Sequence, residues 1–263
     1  KTHLAFYRAL KTKAKIYHFH DPELMIAGVL LKILGKKVVF DSHENVSSQI
    51  ESKNWIGNKT IRSIVKNVYR LFEKSAILFY DKVISVTPKI VEFLSPKKGV
   101  LIRNYPIISL IENKKTIEVE SNTTTFIYVG GLTTVRGIKE ICDAIELSIK
   151  EVRLILLGPW ESESYKMLCL ENSSKIEYKG ILPLEEVYPY IYNSDVGFVT
   201  LYPEKNYLNS LPIKAFEYMA CSKPMIMSNF PYWINTFEGS ATFVNPTSVE
   251  EINETIDWFV ANK

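Results

Sequence analysis

Residues 125–148 read TFIYVGGLTTVRGIKEICDAIELS. Thr125–Val129 is a run of β-branched and aromatic residues and predicts a strand. Arg136–Ser148 carries apolar residues at helical spacing and predicts a helix. Two glycines, Gly130 and Gly131, turn the chain between them and let the backbone approach a ligand closely. The helix that follows offers free N–H groups and the positive end of its dipole. Arg136 adds a cation in the first turn, where the dipole disfavours it. That placement points to an anion, such as a diphosphate, between the two. The competing reading is a tight turn with a solvated arginine. The spacing is neither that of a dinucleotide fingerprint nor that of a P-loop.

The same alternation runs through the chain. Strands are expected at 15–20, 37–41, 82–87, 99–103, 125–129, 152–157, 176–178, 196–201, 224–228 and 241–244. Helices are expected at 23–34, 59–79, 136–148, 162–170, 184–192, 212–220 and 249–260. Most strands are continuous apolar runs, as for parallel strands buried on both faces. Alternating strands and helices mean an α/β fold with parallel sheets. A polar stretch near 105–123 punctuates the chain and divides it into domains at 1–110 and 111–263. Each half looks Rossmann-like. The first half lacks a glycine-rich first turn, so an incomplete N-terminal domain is expected, with the natural protein starting on the order of 70–100 residues earlier.

The chain has 263 residues, of which 46% are hydrophobic and 23% charged, ordinary for a globular protein. Three dispersed cysteines form no C-x-x-C pair and suit a reduced, cytoplasmic setting. The longest apolar run, Leu24–Leu34, is too short to span a bilayer and predicts a buried crossover helix. The net charge is +3. Residues 1–110 hold 19 Lys and Arg against 8 Asp and Glu, and residues 111–263 hold 13 against 21. Such a division suggests different partners for the two halves. Nucleic acid is not among those expected.

Two further motifs carry chemistry. In Leu211–Pro224, LPIKAFEYMACSKP, Pro212 suits a first helical turn, and Lys214 and Glu217 share one face. They form either a surface ion pair or a site in which Lys214 holds phosphate and Glu217 accepts hydrogen bonds from a ribose diol. His18-x-His20-Asp21-Pro22-Glu23 and Asp41-Ser42-His43-Glu44 each follow a strand, the edge where open α/β sheets bind ligands. His18, His20 and His43 can bind a metal or cap strand ends.

The segments HFHDPELM, VVFDSHE, VISVTPKIVEFL, VLIRNYP, YVGGLTTVRGI, LILLGP, LPIKAFEYMACSKPMIMSNFP and ATFVNP, in this order, resemble retaining glycosyltransferases of family 4. The resemblance implies the GT-B fold of two Rossmann-like domains. The N-terminal domain takes the acceptor, and the C-terminal one takes a nucleotide-sugar donor. It implies that Glu217 holds the ribose, that Gly130 and Gly131 face the diphosphate, that Arg136 and Lys214 stabilise it, and that His43 lies beside the transferred sugar. No metal or other cofactor is implied. The acceptor is expected to be a glycan or lipid-linked glycan of cell-surface polysaccharide synthesis. The sequence departs from the family at Gly131, often Arg there, and at Asn209, where a glutamate is expected. Loss of that guanidinium removes a strong phosphate contact. A non-catalytic partner subunit and a nucleotide-sugar 2-epimerase remain as alternatives.

Lys59, Arg62, Lys66, Arg70 and Lys74 recur at spacings of three and four and fall on one helix face. They are either a solvated face or a stripe that meets an anionic membrane or the acceptor's phosphate. Ile61, Ile64, Val65, Val68 and Phe72 are expected to face the core, with Glu73 alone near enough to neutralise the stripe.

Overall fold

The computed structural model describes residues 2–42, 46–86, 88, 91–92, 97–111, 123–171, 173–205 and 207–262. The chain divides into two compact units, Lys1–Asn104 and Tyr105–Lys263.

In the first unit the strands are β1 (Ile16–Phe19), β2 (Lys37–Ser42), β3 (Lys82–Ser85) and β4 (Gly99–Leu101). They form one parallel sheet in sequence order. Helix α1 (Thr2–Lys11) precedes β1, and α2 (Met25–Ile33) crosses from β1 to β2. A seven-residue helix, α3 (Val46–Ser52), and the long α4 (Lys59–Ile77) cross from β2 to β3. The core packs Phe19, Met25, Leu31, Val38, Phe40, Ala76, Ile77, Tyr80 and Val83 together. Tyr80 also donates its hydroxyl to the Met25 carbonyl at 2.7 Å, which ties the end of α4 to the start of α2.

Two expectations for this unit are overturned. Helix α2 buries one face only: Met25, Ala27, Gly28 and Leu31 are inside, while Ile26 and Ile33 are exposed. Helix α4 touches the core through Glu73, Ala76 and Ile77 near its C-terminal end. Its long apolar face (Ile61, Ile64, Val65, Val68, Leu71 and Phe72) is exposed, with Val68 at 64% and Leu71 at 71%. The basic face is partly engaged instead. Lys66 pairs with Glu51 of α3 at 2.6 Å, and Arg62 donates to the Glu51 carbonyl at 3.0 Å. Glu73 is buried, accepts a hydrogen bond from Tyr69, and is pushed up to about 7 by that burial.

The second unit holds a six-stranded parallel sheet in the order β10-β9-β8-β5-β6-β7. The strands are β5 (Thr124–Val129), β6 (Val152–Leu157), β7 (Ile176–Tyr178), β8 (Val196–Val199), β9 (Met225–Ser228) and β10 (Ala241–Val244). The order runs outward from β5 in both directions, the doubly wound arrangement with its switch point between β5 and β8. Side chains alternate along each strand between two cores. Phe126, Tyr128, Leu154, Leu156 and Ile226 enter the core under α6 (Ile138–Leu147) and α11 (Val249–Ala261). Ile127, Ile155, Leu157, Met225 and Met227 enter the opposite core, under α8 (Leu184–Asn193), α9 (Ile213–Ala220) and α10 (Pro231–Phe237). Burial on both faces is why the strands read as unbroken apolar runs. Two shorter elements complete this unit, α5 (Ile108–Ile111) and α7 (Glu163–Leu170). No helix among the described residues is long and apolar enough to cross a membrane.

Candidate functional site

The site lies at the C-terminal edge of the second sheet, beside the switch point. Strands β5 and β8 pair only through Phe126–Val196 and Ile127–Gly197, then separate. The Tyr218 hydroxyl from α9 fills the gap. It accepts from the Val129 N–H at 3.3 Å and lies 3.3 Å from the Ile127 carbonyl and 3.5 Å from that of Phe198. A Cβ at residue 197 would stand 2.4 Å from the Tyr218 ring, so Gly197 is what lets α9 close on the sheet. That seating fixes Lys214, one turn before Tyr218, above the end of β5. Pro212 is the N-cap residue, not a residue of the first turn, and the helix starts at Ile213.

The loops after β5 and β6 are stitched together. Leu132 N–H donates to the Pro159 carbonyl at 2.8 Å, and Glu161 N–H donates to the Leu132 carbonyl at 2.9 Å. The backbone N–H and hydroxyl of Thr134 both reach one Glu161 oxygen, at 2.7 and 2.9 Å. Arg136 closes a 3-10 turn, Thr134–Arg136, and the helix begins only after Gly137. Arg136 therefore precedes the helix and does not sit within its first turn. Its guanidinium folds back and donates to the Gly131 carbonyl at 3.3 Å, while its own carbonyl accepts from Thr200 after β8 at 2.9 Å.

Two cations thus converge on the glycine turn. A Cβ at Gly130 would lie 3.0 Å from Lys214 Nζ and 3.1 Å from Arg136 Nη1, and one at Gly131 would lie 3.2 Å from Nη1. The Lys214 ammonium stands over the Tyr128 ring at 3.7 Å from its centroid, within cation–π range. Lys214 is half-buried as a residue. Burial, and then the Arg136 charge, hold that ammonium well below the ordinary lysine value, while Glu217 acts in the opposite direction. Burial also raises Glu217 above the usual carboxylate range, against the opposing effects of Lys214 and of Tyr188, whose hydroxyl approaches Oε1 at 3.5 Å. Among the described residues Lys214 and Glu217 form no ion pair; they stand in one electrostatic field as separate groups.

Asn209 is exposed in the loop leading to α9. His43 lies outside the described residues, so the structure gives its expected role no geometry. Lys59, Arg62, Lys66 and Arg70 lie along α4 in the first unit, as described above. Three contributors escaped the sequence reading: Tyr128 beneath Lys214, Gly158 against Gly130, and Thr133. The Thr133 hydroxyl is buried beside the turn with no hydrogen-bond partner. Tyr128 was inside the quoted motif, but its ring is significant only because a residue 86 positions away rests on it.

Such an arrangement, with two cations at one backbone turn that admits close approach, is chemically suited to an anion with dispersed charge. Comparison with known proteins agrees on the fold. The structure is similar to one described as "Trehalose-6-phosphate from E. coli bound with UDP-2-fluoro glucose" (TM-score 0.71, 15% identity, covering 100% of this chain and 69% of that one). It is also similar to sucrose-phosphate synthase from Thermosynechococcus elongatus (TM-score 0.70, 18% identity, 97% and 67% covered). Anabaena HepE in complex with UDP is a third (TM-score 0.70, 14% identity, 98% and 72% covered). The likeness concerns the fold, Rossmann-like α/β units with parallel sheets of the expected GT-B class. No curated protein sequence matches. The model of one sequence family, glycosyl transferases group 1, matches residues 111–263. That match takes in more than half of the chain and the whole Gly130–Arg136–Lys214–Glu217 cluster, and the chain belongs to that family.

Proposed function

We propose that the second unit binds a nucleoside-diphosphate sugar and that the protein transfers the sugar, with retention, to a glycan or lipid-linked glycan in cell-surface polysaccharide synthesis. The observation that carries this reading is the convergence of Arg136 and Lys214 on Gly130. Breaking the anomeric bond spreads positive charge over the sugar ring and leaves negative charge on the diphosphate. Two fixed cations facing that charge lower the barrier without reorganising during the reaction. We assign this stabilisation to side chains and backbone N–H groups, with no metal ion. His43 orients the sugar, and residues 1–110 contribute the acceptor side. Bound UDP-2-fluoro glucose and UDP in structures of the same fold support a nucleotide-linked donor.

The departure at Gly131 also favours an enzyme over a partner subunit. The Arg136 guanidinium occupies the space that a side chain at 131 would enter, 3.2 Å from its Cβ position. The cation therefore reaches the turn by another route. Release of nucleotide from a panel of donors, with acceptor present, separates the two readings.

Glu217 tests the donor site. If it accepts hydrogen bonds from the ribose diol, Glu217→Gln weakens donor binding by ~1–3 kcal/mol, the range for hydrogen bonds to charged groups. Calorimetry measures the affinity and thermal unfolding the stability. Unchanged affinity with a lowered melting temperature would show a purely structural residue.

A location at the cytoplasmic face of a membrane is supported by α4. Its apolar face is exposed together with Trp55, which is 81% exposed, and a basic row flanks it. That combination lies flat at a lipid interface, apolar side in and cations at the headgroups. Each cation near an anionic surface adds about 1 kcal/mol. In vesicle sedimentation the full-length protein should prefer anionic over neutral vesicles. Val68→Glu with Leu71→Glu should abolish binding, and equal binding to both vesicle types would rule the idea out.

A further inference from the structure

We propose that His18, His20 and Asp41 form a binding site for a divalent transition-metal ion. Strand geometry assembles the set. His18 lies in β1 and His20 follows directly on its last residue, Phe19. The parallel register sets His18 beside Val39 and ends with Phe19 beside Phe40, so His20 and Asp41 are the next residues along the two segments at this sheet edge. His18 Nε2 and His20 Nδ1 then converge on a single oxygen, Oδ2 of Asp41, each at 3.3 Å.

His18 Nε2 is within hydrogen-bond reach of that oxygen, and the 3.3 Å spacing of both contacts also suits ligands of one ion. Tetrahedral bonds of about 2.0–2.2 Å put neighbouring ligand atoms roughly 3.3–3.5 Å apart. The three ligand atoms all lie within 4.8 Å of one another, and small rotations of the two imidazoles close the remaining edge. Asp41 is the fixed member, with its side chain 12% exposed, whereas the imidazoles are 44% and 53% exposed and leave a path for an ion. Two imidazoles and one carboxylate suit zinc and its neighbours among the transition metals, and leave a position for water or another oxygen ligand. The site uses only the first unit, and the leaving-group chemistry proposed above uses only the second, so either holds without the other.

The test is calorimetric titration of the chain with Zn²⁺, repeated with Co²⁺, whose visible absorption reports a tetrahedral environment. One ion should bind per chain. His18→Ala and His20→Ala should each weaken binding by ~100-fold or more, beyond the 10–100-fold cost of losing a mere outer-shell partner. Asp41→Asn should do the same. Asp41 is buried, so its variant is checked by circular dichroism, and the two exposed histidines carry the result if it fails to fold. His3→Ala, on α1, should leave affinity unchanged. Absence of saturable binding, or an affinity indifferent to His18→Ala and His20→Ala, would overturn the proposal.

Discussion

Arg136→Ala is expected to lower turnover by ~10²–10³-fold, the cost of removing one preorganised charge stabiliser. Donor affinity should fall much less. The reason lies in where charge develops. In the bound donor the diphosphate is already anionic, but the anomeric break adds charge to its terminal phosphate. Only interactions that strengthen at that moment speed the reaction. The Arg136 guanidinium is positioned for this by two backbone contacts, its donation to the Gly131 carbonyl and the Thr200 hydroxyl on its own carbonyl. Lys214 backs it from the Tyr128 side. Steady-state kinetics with the full-length protein gives the answer. A kcat near that of the parent enzyme would make Lys214 the principal cation, and a rise in KM alone would make Arg136 a binding residue.

Gly158→Ala should be the most damaging small substitution in the second unit. A Cβ there would stand 2.0 Å from the Gly130 carbonyl oxygen and 2.7 Å from its carbon, and the residue has φ of +134°. Neither loop has room to yield. Gly158 N–H donates to the Gly180 carbonyl at 2.9 Å, its carbonyl accepts from Tyr178 at 3.0 Å, and Gly130 N–H donates to Leu157 at 2.8 Å. A collision between two pinned backbones belongs among the large effects, about 3–5 kcal/mol. Nucleotide binding should go with it, since Gly130 is displaced. Gly239→Ala is the control. Its φ of +77° is also left-handed, but nothing lies within 4 Å, so only the conformational cost of about 1–2 kcal/mol applies. Urea unfolding of the pair separates the two causes, and equal losses would show that the clash contributes nothing.

The strands were legible because burial on both faces leaves a plain mark. Val196–Val199 and Met225–Ser228 are buried at every position and read as nearly continuous apolar runs. Helix α4 shows the limit of such reading. Ile61, Ile64, Val65 and Val68 have the spacing of a buried face, yet they are exposed. Periodicity states that a helix has two faces and is silent on which one the rest of the chain covers. Helices α3, α5 and α10 are short, seven residues or fewer, and leave little periodicity to read, whereas the ten-residue α1 buries no residue and so lacks a continuous apolar stripe. In α10, Trp233 is buried and gives its indole N–H to the Ser210 carbonyl at 2.7 Å, a tertiary contact with no local signal. The glycine turn, Arg136, Lys214 and Glu217 were visible as residue types at motif spacing. The parts that fix them were not. Tyr218 acts through residues about 20 and 90 positions away, and Gly197 is needed only because that ring lies on it. Asp41 beside His18 and His20 likewise depends on strand register, which no single segment states.

The pairing of Arg136 with Lys214 sets a toll that recurs in every catalytic cycle. Like charges held together away from water raise the energy of the empty site, and an anion relieves it. On the proposed reading, the species that relieves it most is the one with the greatest charge on its terminal phosphate, the spent nucleoside diphosphate and not the intact donor. On that same reading the spent nucleotide competes with fresh donor for the empty site, so added nucleoside diphosphate should inhibit competitively against the donor, and less so in Arg136→Ala.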